Sequence, residues 1–110
     1  MIGDNVEIGS QTTICSGTLE PTTIYSDVHI DDHVHVAHNC QIGRNTVLTA
    51  NVTLSGSTKI GLNCWLGVSA STRDGISICD DVFLGMGSLV ITSLDKPGQY
   101  FGSPARFIKN

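Results

Sequence analysis

Aliphatic residues recur at every sixth position through most of this 110-residue chain, and this repeat restricts the possible fold more than any other feature. From residue 24 to residue 90 the sixth positions form an aliphatic row with a single exception, Thr72. The row consists of Ile24, Ile30, Val36, Ile42, Leu48, Leu54, Ile60, Leu66, Thr72, Ile78, Leu84 and Val90. Four residues after each member lies a position that is small or β-branched almost throughout, the small row. A repeat this regular decides the fold.

Each six-residue unit has the pattern of a short strand followed by a polar corner. Residues 34–36 alternate inward and outward, and residues 43–45 (Gly-Arg-Asn) are typical of a turn. Gly and Asn at the corners tolerate the positive φ that such a bend requires. A helix would need apolar spacings of three and four, which the body of the chain lacks.

The repeat slips once, near the N-terminus. Ile2, Ile8 and Ile14 keep the six-residue step, but the stretch over residues 15–23 is four residues longer than one unit. We predict a loop that bulges from one corner near residues 17–21. Such a loop either lines a binding site or is an ordinary surface excursion.

Charge and composition exclude several classes of partner. Six Lys and Arg against ten Asp and Glu give a net charge of −4, so the chain offers no basic patch for nucleic acid or anionic membranes. No apolar run reaches the roughly 18 residues that span a bilayer, and the N-terminus lacks a signal-peptide pattern. We therefore expect one cytoplasmic domain with no nucleic-acid partner and no membrane span.

The four cysteines have no CxxC spacing. Cys40 and Cys64 fall in the small row, and Cys15 and Cys79 each follow an aliphatic position. We expect reduced thiols that act as small core residues, and neither a disulfide framework nor a zinc site.

Two hexapeptides, Ile42–Val47 and Ile60–Trp65, resemble the repeats of the hexapeptide-repeat acyltransferases. The resemblance covers nearly the whole chain. It implies an all-β fold, a left-handed parallel β-helix of about five coils with three units per coil, which is an exception to the right-handed crossover rule. It also implies a β-helix over residues 1–95, with the corner loop near 17–21, and a short C-terminal closing segment over 96–110.

The C-terminal residues 102–106 (Gly-Ser-Pro-Ala-Arg) resemble the Gly-x-Pro-Ala-Lys/Arg closing motif of the same family. We therefore expect the C-terminus to be native. The first repeat begins directly at Met1, so the chain is expected to be either a fragment or a minimal version of a longer protein.

Residues 36–43 (Val-Ala-His-Asn-Cys-Gln-Ile-Gly) resemble the Ile-Ala-His-Asn-x-x-Ile-Gly segment of the UDP-acylglucosamine N-acyltransferases. They are also similar to the Asp-His-Asp-Cys segment of bacterial sugar N-acetyltransferases. In both families the histidine is the base, so the resemblance implies that His38 is a general base. Imidazole suits the removal of a proton from an attacking amine or hydroxyl near neutral pH. From its position alone, a single histidine is a weak signal, and His38 would be a solvated or interface-packing residue.

Gly56 lies 18 residues after His38, which places it one coil further along the same corner. Its backbone N–H could stabilise the oxyanion of a tetrahedral intermediate. The UDP-acylglucosamine N-acyltransferases, which act in lipid A synthesis and are called the lipid A enzymes below, have Ala-Gly-Ser at this place. The alternative is an ordinary corner glycine. Asn39 either orients the acceptor or caps its corner.

Family analogy also implies contacts to a thioester donor, acetyl-CoA or another acyl thioester. Four residues would line the pantetheine track, and two cations would pair with CoA phosphates, although each is also an ordinary surface cation. These residues are Gly67, Val68, Gly85 and Met86 for the track, and Arg106 and Lys109 for the phosphates.

Four histidines lie within ten residues, so a metal site has to be considered. The register places His29 and His35 on different faces, and His33 and His38 at different corners, so one chain cannot converge them on a tetrahedral ion. Ligands shared across a trimer interface, as in the γ-class carbonic anhydrases, need a further histidine from a distant coil. None follows His38, and we expect no metal.

The sequence thus predicts an acyltransferase that moves an acetyl or other acyl group from CoA or acyl-carrier protein to a sugar or nucleotide-sugar. The resemblance implies a homotrimer with sites between subunits. The lipid A enzymes carry a second histidine where this chain has residues 72–76, and an N-terminal uridine-binding domain and C-terminal helices that are not in this sequence. These departures favour a smaller sugar transferase, and leave a non-catalytic trimeric binding module and a metal hydratase as alternatives.

Overall fold

The computed structural model describes residues 1–17 and 19–110, and within them all regular structure is β-strand. No helix among the described residues is long and apolar enough to cross a membrane. In chain order the strands are β1 (Glu7–Ile8), β2 (Thr13–Ile14), β3 (Thr23–Ile24), β4 (His29–Ile30), β5 (His35–Val36), β6 (Gln41–Ile42), β7 (Val47–Leu48), β8 (Thr53–Leu54), β9 (Lys59–Ile60), β10 (Trp65–Leu66), β11 (Ser71–Thr72), β12 (Ser77–Ile78), β13 (Val82–Leu84), β14 (Leu89–Val90), β15 (Gly98–Phe101) and β16 (Arg106–Lys109).

From β1 to β14, each strand pairs with the strands three places before and after it in the chain, so the chain winds around three sheets. The orders are β1-β4-β7-β10-β13-β15-β16, β14-β11-β8-β5-β2 and β12-β9-β6-β3. We call the turns from the seven-stranded to the five-stranded sheet the first corner, those from the five-stranded to the four-stranded sheet the second corner, and those leading back the third corner. The architecture is the predicted left-handed parallel β-helix of about five coils.

The strand register repeats every 18 residues. On the seven-stranded sheet His29 pairs with Val47, and Trp65 pairs with both Val47 and Phe83. Glu7 pairs with His29, a spacing of 22, so the four extra residues predicted in the first coil leave the strands and form a loop. Within that loop, Thr18 lies outside the described residues.

Both predicted inward rows are buried from the second coil onward. Ile24 is 1% exposed and Val90 is 1% exposed, and all members of the aliphatic row between them are buried as well. In the first coil, Ile2 and Ile8 are 52% and 40% exposed, because a coil packs against only one side of them. Burial of this row supplies the main stabilisation, at about 25 cal/mol per Å² of apolar surface.

The corners use Asn and Gly in two different ways. At most of the described corners the third residue takes a positive φ, as predicted for Asn45 (62°) and Asn63 (57°). Gly43 and Gly61 do not, so at these two corners Asn and not Gly supplies the positive φ. They are small because a Cβ on Gly43 would collide with the Gly61 backbone, and one on Gly61 with Asp80, each in the next coil.

The closing segment continues the seven-stranded sheet. Strand β15 pairs parallel with β13, and β16 returns antiparallel to β15. Tyr100 is buried, and its ring meets Phe107 edge-on at a centroid distance of 5.5 Å. The division of the chain between residues 95 and 96 stays a prediction.

All four cysteines are free thiols, and Cys40 and Cys64 are buried in the small row as predicted. Burial raises the pKa of Cys64 to about 11 from its ordinary value of 9.0, and burial also raises the pKa of Cys40. A neutral thiol is therefore favoured by the folded state.

This pKa shift predicts alkaline destabilisation. Because the folded pKa of Cys64 is raised, its stabilising contribution is complete below pH 9 and is lost as the pH rises towards about 11. In urea titrations between pH 8 and pH 11, Cys64→Ser should lose less of its free energy of unfolding with pH than the unmodified protein does. Cys15→Ser, which removes a half-buried thiol of the first coil, is the matched control. Equal pH slopes for all three proteins would contradict the prediction.

Candidate functional site

His38 lies at the second corner, between β5 and β6, and its side chain is exposed. The imidazole lies against Gly56 of the next coil. A Cβ built on Gly56 would stand 2.6 Å from Cε1 and 2.8 Å from Nε2 of His38. The ring thus occupies the space that a side chain at residue 56 would need, as the predicted 18-residue stacking requires.

Backbone hydrogen bonds fix this column of corner residues. The Ser57 N–H donates to the His38 carbonyl at 2.9 Å, and the Gly75 N–H donates to the Gly56 carbonyl at 2.9 Å. Gly56 does not have a positive φ, so backbone conformation does not demand glycine there. Among the described residues, nothing accepts a hydrogen bond from the Gly56 N–H.

A groove of about 410 Å³ opens beside this corner, on the side of the four-stranded sheet. Asn39 lines it, whereas its neighbour in the chain, His38, is not part of the lining. The lining consists of Leu19, Glu20, Asn39, Ser57, Lys59, Gly75 and Ser77. Leu19 and Glu20, two residues of the loop predicted near residues 17–21, therefore line a groove.

Glu20 and Lys59 were not identified as site residues from the sequence. Lys59 is the outward residue of β9, and the other outward residues of its sheet beside it are Gln41 and Ser77, so it presents a cation to the groove. Glu20 belongs to the loop. The position of the loop, which the repeat alone does not specify, is what places these opposite charges on one groove.

The four residues predicted for the pantetheine track do lie together, but at the first corner, whereas His38 lies at the second corner. They share an apolar groove of about 320 Å³ at the first corner. Its lining is Thr49, Trp65, Gly67, Val68, Phe83, Gly85, Met86 and Phe101. Within one chain this groove and His38 lie at opposite ends of the five-stranded sheet.

The two predicted phosphate contacts lie on β16. Arg106 pairs with Phe101, which lines the apolar groove, and Lys109 pairs with Gln99. Both side chains are exposed. Arg106 is thus beside the apolar groove, and neither cation is near His38 in the same chain.

The histidines are dispersed as predicted. His29 is on β4 and His35 on β5, which belong to different sheets, and His33 is at the first corner. The Nδ1 atom of His29 is 3.2 Å from a carboxylate oxygen of Glu7. In residues 1–17 and 19–110, no three His, Cys, Asp or Glu side chains are arranged to hold a metal ion.

Sequence comparison matches most of the chain to hexapeptide repeats. Residues 21–56 match the family described as bacterial transferase hexapeptide (six repeats), and residues 57–93 match the hexapeptide repeat of succinyl-transferase. The UDP-3-O-acylglucosamine N-acyltransferase of Bordetella avium is 44% identical over 101 residues. That alignment takes in 92% of this chain and 28% of the relative, so the chain spans little more than a quarter of the relative's length.

Solved structures share the fold. LpxA from Acinetobacter baumannii superposes with a TM-score of 0.91 at 25% identity, over 94% of this chain and 42% of that chain. PerB from Caulobacter crescentus, solved in complex with CoA and GDP-perosamine, superposes with a TM-score of 0.67 at 26% identity, over 96% of this chain and 52% of that chain.

The contact between His38 and Gly56 predicts the effect of adding one methyl group. In Gly56→Ala the imidazole has to move, since the new Cβ would overlap Cε1 and Nε2. We expect shifted His38 ring signals in NMR spectra and a loss of less than about 1 kcal/mol of stability, because the ring is the free end of a side chain and can rotate away. Gly43→Ala, whose Cβ meets backbone instead, should be clearly more destabilising in urea titrations. An unmoved ring in Gly56→Ala would refute the contact.

Proposed function

We propose that this chain, which belongs to the bacterial transferase hexapeptide family, transfers an acyl group from a thioester to the amine or hydroxyl of a nucleotide-sugar, with His38 as general base. The observation that carries the proposal is the position of the His38 imidazole, which lies against Gly56 at a solvent-exposed corner beside a polar groove. A base, a backbone donor and space for an acceptor therefore occur together.

The chemistry needs few groups. The acceptor nitrogen or oxygen attacks the thioester carbonyl carbon while the imidazole takes the proton of the nucleophile. The carbonyl oxygen becomes an oxyanion, which the Gly56 N–H stabilises. The intermediate then collapses, the C–S bond breaks, and the imidazolium returns the proton to the thiolate.

Other corners of the same chain support the role of the Gly56 N–H. The N–H groups at the equivalent corner position of other coils donate to carboxylate oxygens, from Leu62 to Asp80 at 2.8 Å and from Ser10 to Asp32 at 2.7 Å. These distances suit an oxyanion site, for which donors lie about 2.7–3.1 Å from the charge. Asp74 stands in the position that corresponds to Asp80, yet no hydrogen bond joins it to Gly56 in the described part of the chain. Within the part of the chain that the structure describes, the Asp74 carboxylate therefore does not occupy the Gly56 N–H.

The polar groove is the proposed acceptor site. The relative from Bordetella avium is named for UDP-3-O-acylglucosamine, and PerB was solved with GDP-perosamine. A nucleotide amino sugar carries a diphosphate and an amine, which complement Lys59 and Glu20. Asn39 and the hydroxyls of Ser57 and Ser77 supply hydrogen-bond partners for sugar hydroxyl groups.

The apolar groove at the first corner is the proposed thioester site. PerB was solved with CoA, and the groove of this chain contains the four residues predicted for the pantetheine. In the predicted homotrimer, the first corner of one subunit would face the second corner of a neighbour. This arrangement would bring the thioester bound by one subunit to His38 of its neighbour, although the apolar groove and His38 lie at different corners within one chain.

A binding module without catalysis is the second candidate. It is favoured by the stretch at residues 72–76, which has no histidine where the lipid A enzymes have their second one. Gly75, at φ 74°, contributes only backbone to the groove. Acceptor binding without turnover would support this candidate.

His38→Gln tests the base directly. Without an imidazole, release of free thiol from acyl-CoA in the presence of UDP-amino sugars should fall by at least about 100-fold, with circular dichroism and oligomer size unchanged. His35→Gln, an exposed histidine on β5, is the matched control and should keep full activity. Activity in His38→Gln equal to that of the unmodified chain would refute the role of His38.

Lys59→Gln tests the acceptor groove. Loss of a charge-assisted contact to phosphate costs about 1.5–3 kcal/mol, so KM for a UDP-amino sugar should rise at least about tenfold, with the same change absent for a free amino sugar. Lys96→Gln removes a cation that lies over the Phe107 ring at 4.0 Å and is not part of the groove lining, and it serves as the control. An equal rise in KM for both acceptors would show that the diphosphate does not contact Lys59.

A further inference from the structure

Ser55, which precedes Gly56, is held by three buried side chains from the core. Its carbonyl accepts a hydrogen bond from the Thr58 hydroxyl at 2.7 Å and from the Cys40 thiol at 3.4 Å. Its N–H donates to the Thr72 hydroxyl at 3.3 Å. The Thr58 and Thr72 hydroxyl oxygens are themselves 2.9 Å apart. Both polar groups of the Ser55 backbone are thus fixed from inside the β-helix.

This anchoring sets the direction of the Gly56 N–H. The Ser55 carbonyl and the Gly56 N–H belong to one planar trans peptide, in which C=O and N–H point in opposite directions. Because Thr58 and Cys40 hold the carbonyl towards the core, the N–H has to point away from the core, as the equivalent Leu62 N–H does where it donates to Asp80.

We propose that Thr72, acting through Thr58 and Ser55, is a positioning residue that aims the Gly56 N–H at the reacting oxyanion. This inference rests on the proposed function and deepens it, since it explains why the donor has a fixed direction. Thr72 touches neither substrate nor His38. It acts by orienting the peptide on which the donor lies.

The position of Thr72 in the sequence supports this role. It is the one member of the aliphatic row that is not aliphatic, and it is 2% exposed. Val would fill the same volume and bury more apolar surface, so core packing alone favours Val over Thr. The hydroxyl occurs at the coil where it can bond the backbone behind Gly56.

Thr46 provides a structural control within the same molecule. It is fully buried, donates to the Gly61 carbonyl at 2.8 Å and accepts from the Cys64 N–H at 3.1 Å. By the same peptide geometry it aims the Leu62 N–H outward, where Asp80 of this chain accepts it. At the third corner Asp80 accepts the hydrogen bond from the aimed N–H, whereas at the second corner no acceptor among the described residues bonds the Gly56 N–H.

The test compares Thr72→Val with Thr46→Val in the full chain. Both remove one buried hydroxyl, so both should lower stability in urea titrations to a similar extent. Only Thr72→Val should lower kcat, by about tenfold, with KM for the nucleotide-sugar unchanged within about twofold, since complete loss of an oxyanion donor costs about 10²–10³ in kcat. Thr72→Ser, which keeps the hydroxyl, should restore kcat to within about threefold of the unmodified protein.

Equal losses of kcat in Thr72→Val and Thr46→Val would overturn the inference, because the effect would then be one of stability. An unchanged kcat in Thr72→Val would also overturn it. If the unmodified protein transfers no acyl group, the proposed function fails and the inference is judged by NMR. Thr72→Val should then shift the Gly56 amide and His38 ring signals, while Thr46→Val leaves them in place. Unshifted signals in Thr72→Val would refute the positioning role.

Discussion

The hydrogen bonds between successive coils are the interaction on which the rest of this structure depends. Each links a residue to its counterpart about 18 positions away, from His29 to Val47 and from Val47 to Trp65. Parallel strands lie about 4.8 Å apart, so residues at this spacing form columns along the axis in which neighbours are always in contact. The residues of a site on such a scaffold are therefore brought together when they belong to the same column. His38 and Gly56 meet because the register leaves them no other arrangement.

Much of the fold could be predicted because the same register is visible in the sequence. The aliphatic row, the small row and the four extra residues in the first coil all have the predicted positions. The role of the corner glycines could not be read in the same way. Gly43 and Asn45 look like equivalent turn residues, but only Asn45 has a positive φ, while Gly43 admits the backbone of the next coil. Composition does not distinguish a conformational requirement from a steric one.

Contacts between site residues 18 positions apart could be predicted from the sequence, whereas contacts that involve the loop or the interior could not. Gly67 and Gly85, like Val68 and Met86, differ by 18 residues, and the structure places all four on one groove. The polar groove depends instead on the path of the loop, which brings Glu20 beside Lys59. The contact between Thr58 and Thr72 spans 14 residues and runs through the interior. It depends on side-chain rotamers, which no repeat pattern encodes.

Three glycines at the second and third corners show how scaffold and site requirements separate. Gly75 has a φ of 74°, so its backbone conformation favours glycine, and Gly43 is confined by the backbone of its neighbouring coil. Gly56 meets neither condition, since its φ is not positive and the three atoms nearest to a Cβ built there all belong to the His38 imidazole, not to backbone. The scaffold would therefore accept a side chain at residue 56, as it accepts Arg44 and Leu62 at the equivalent positions of the third corner. What excludes one is the ring of His38, and this makes Gly56 part of the arrangement around the proposed base and not a feature of the β-helix.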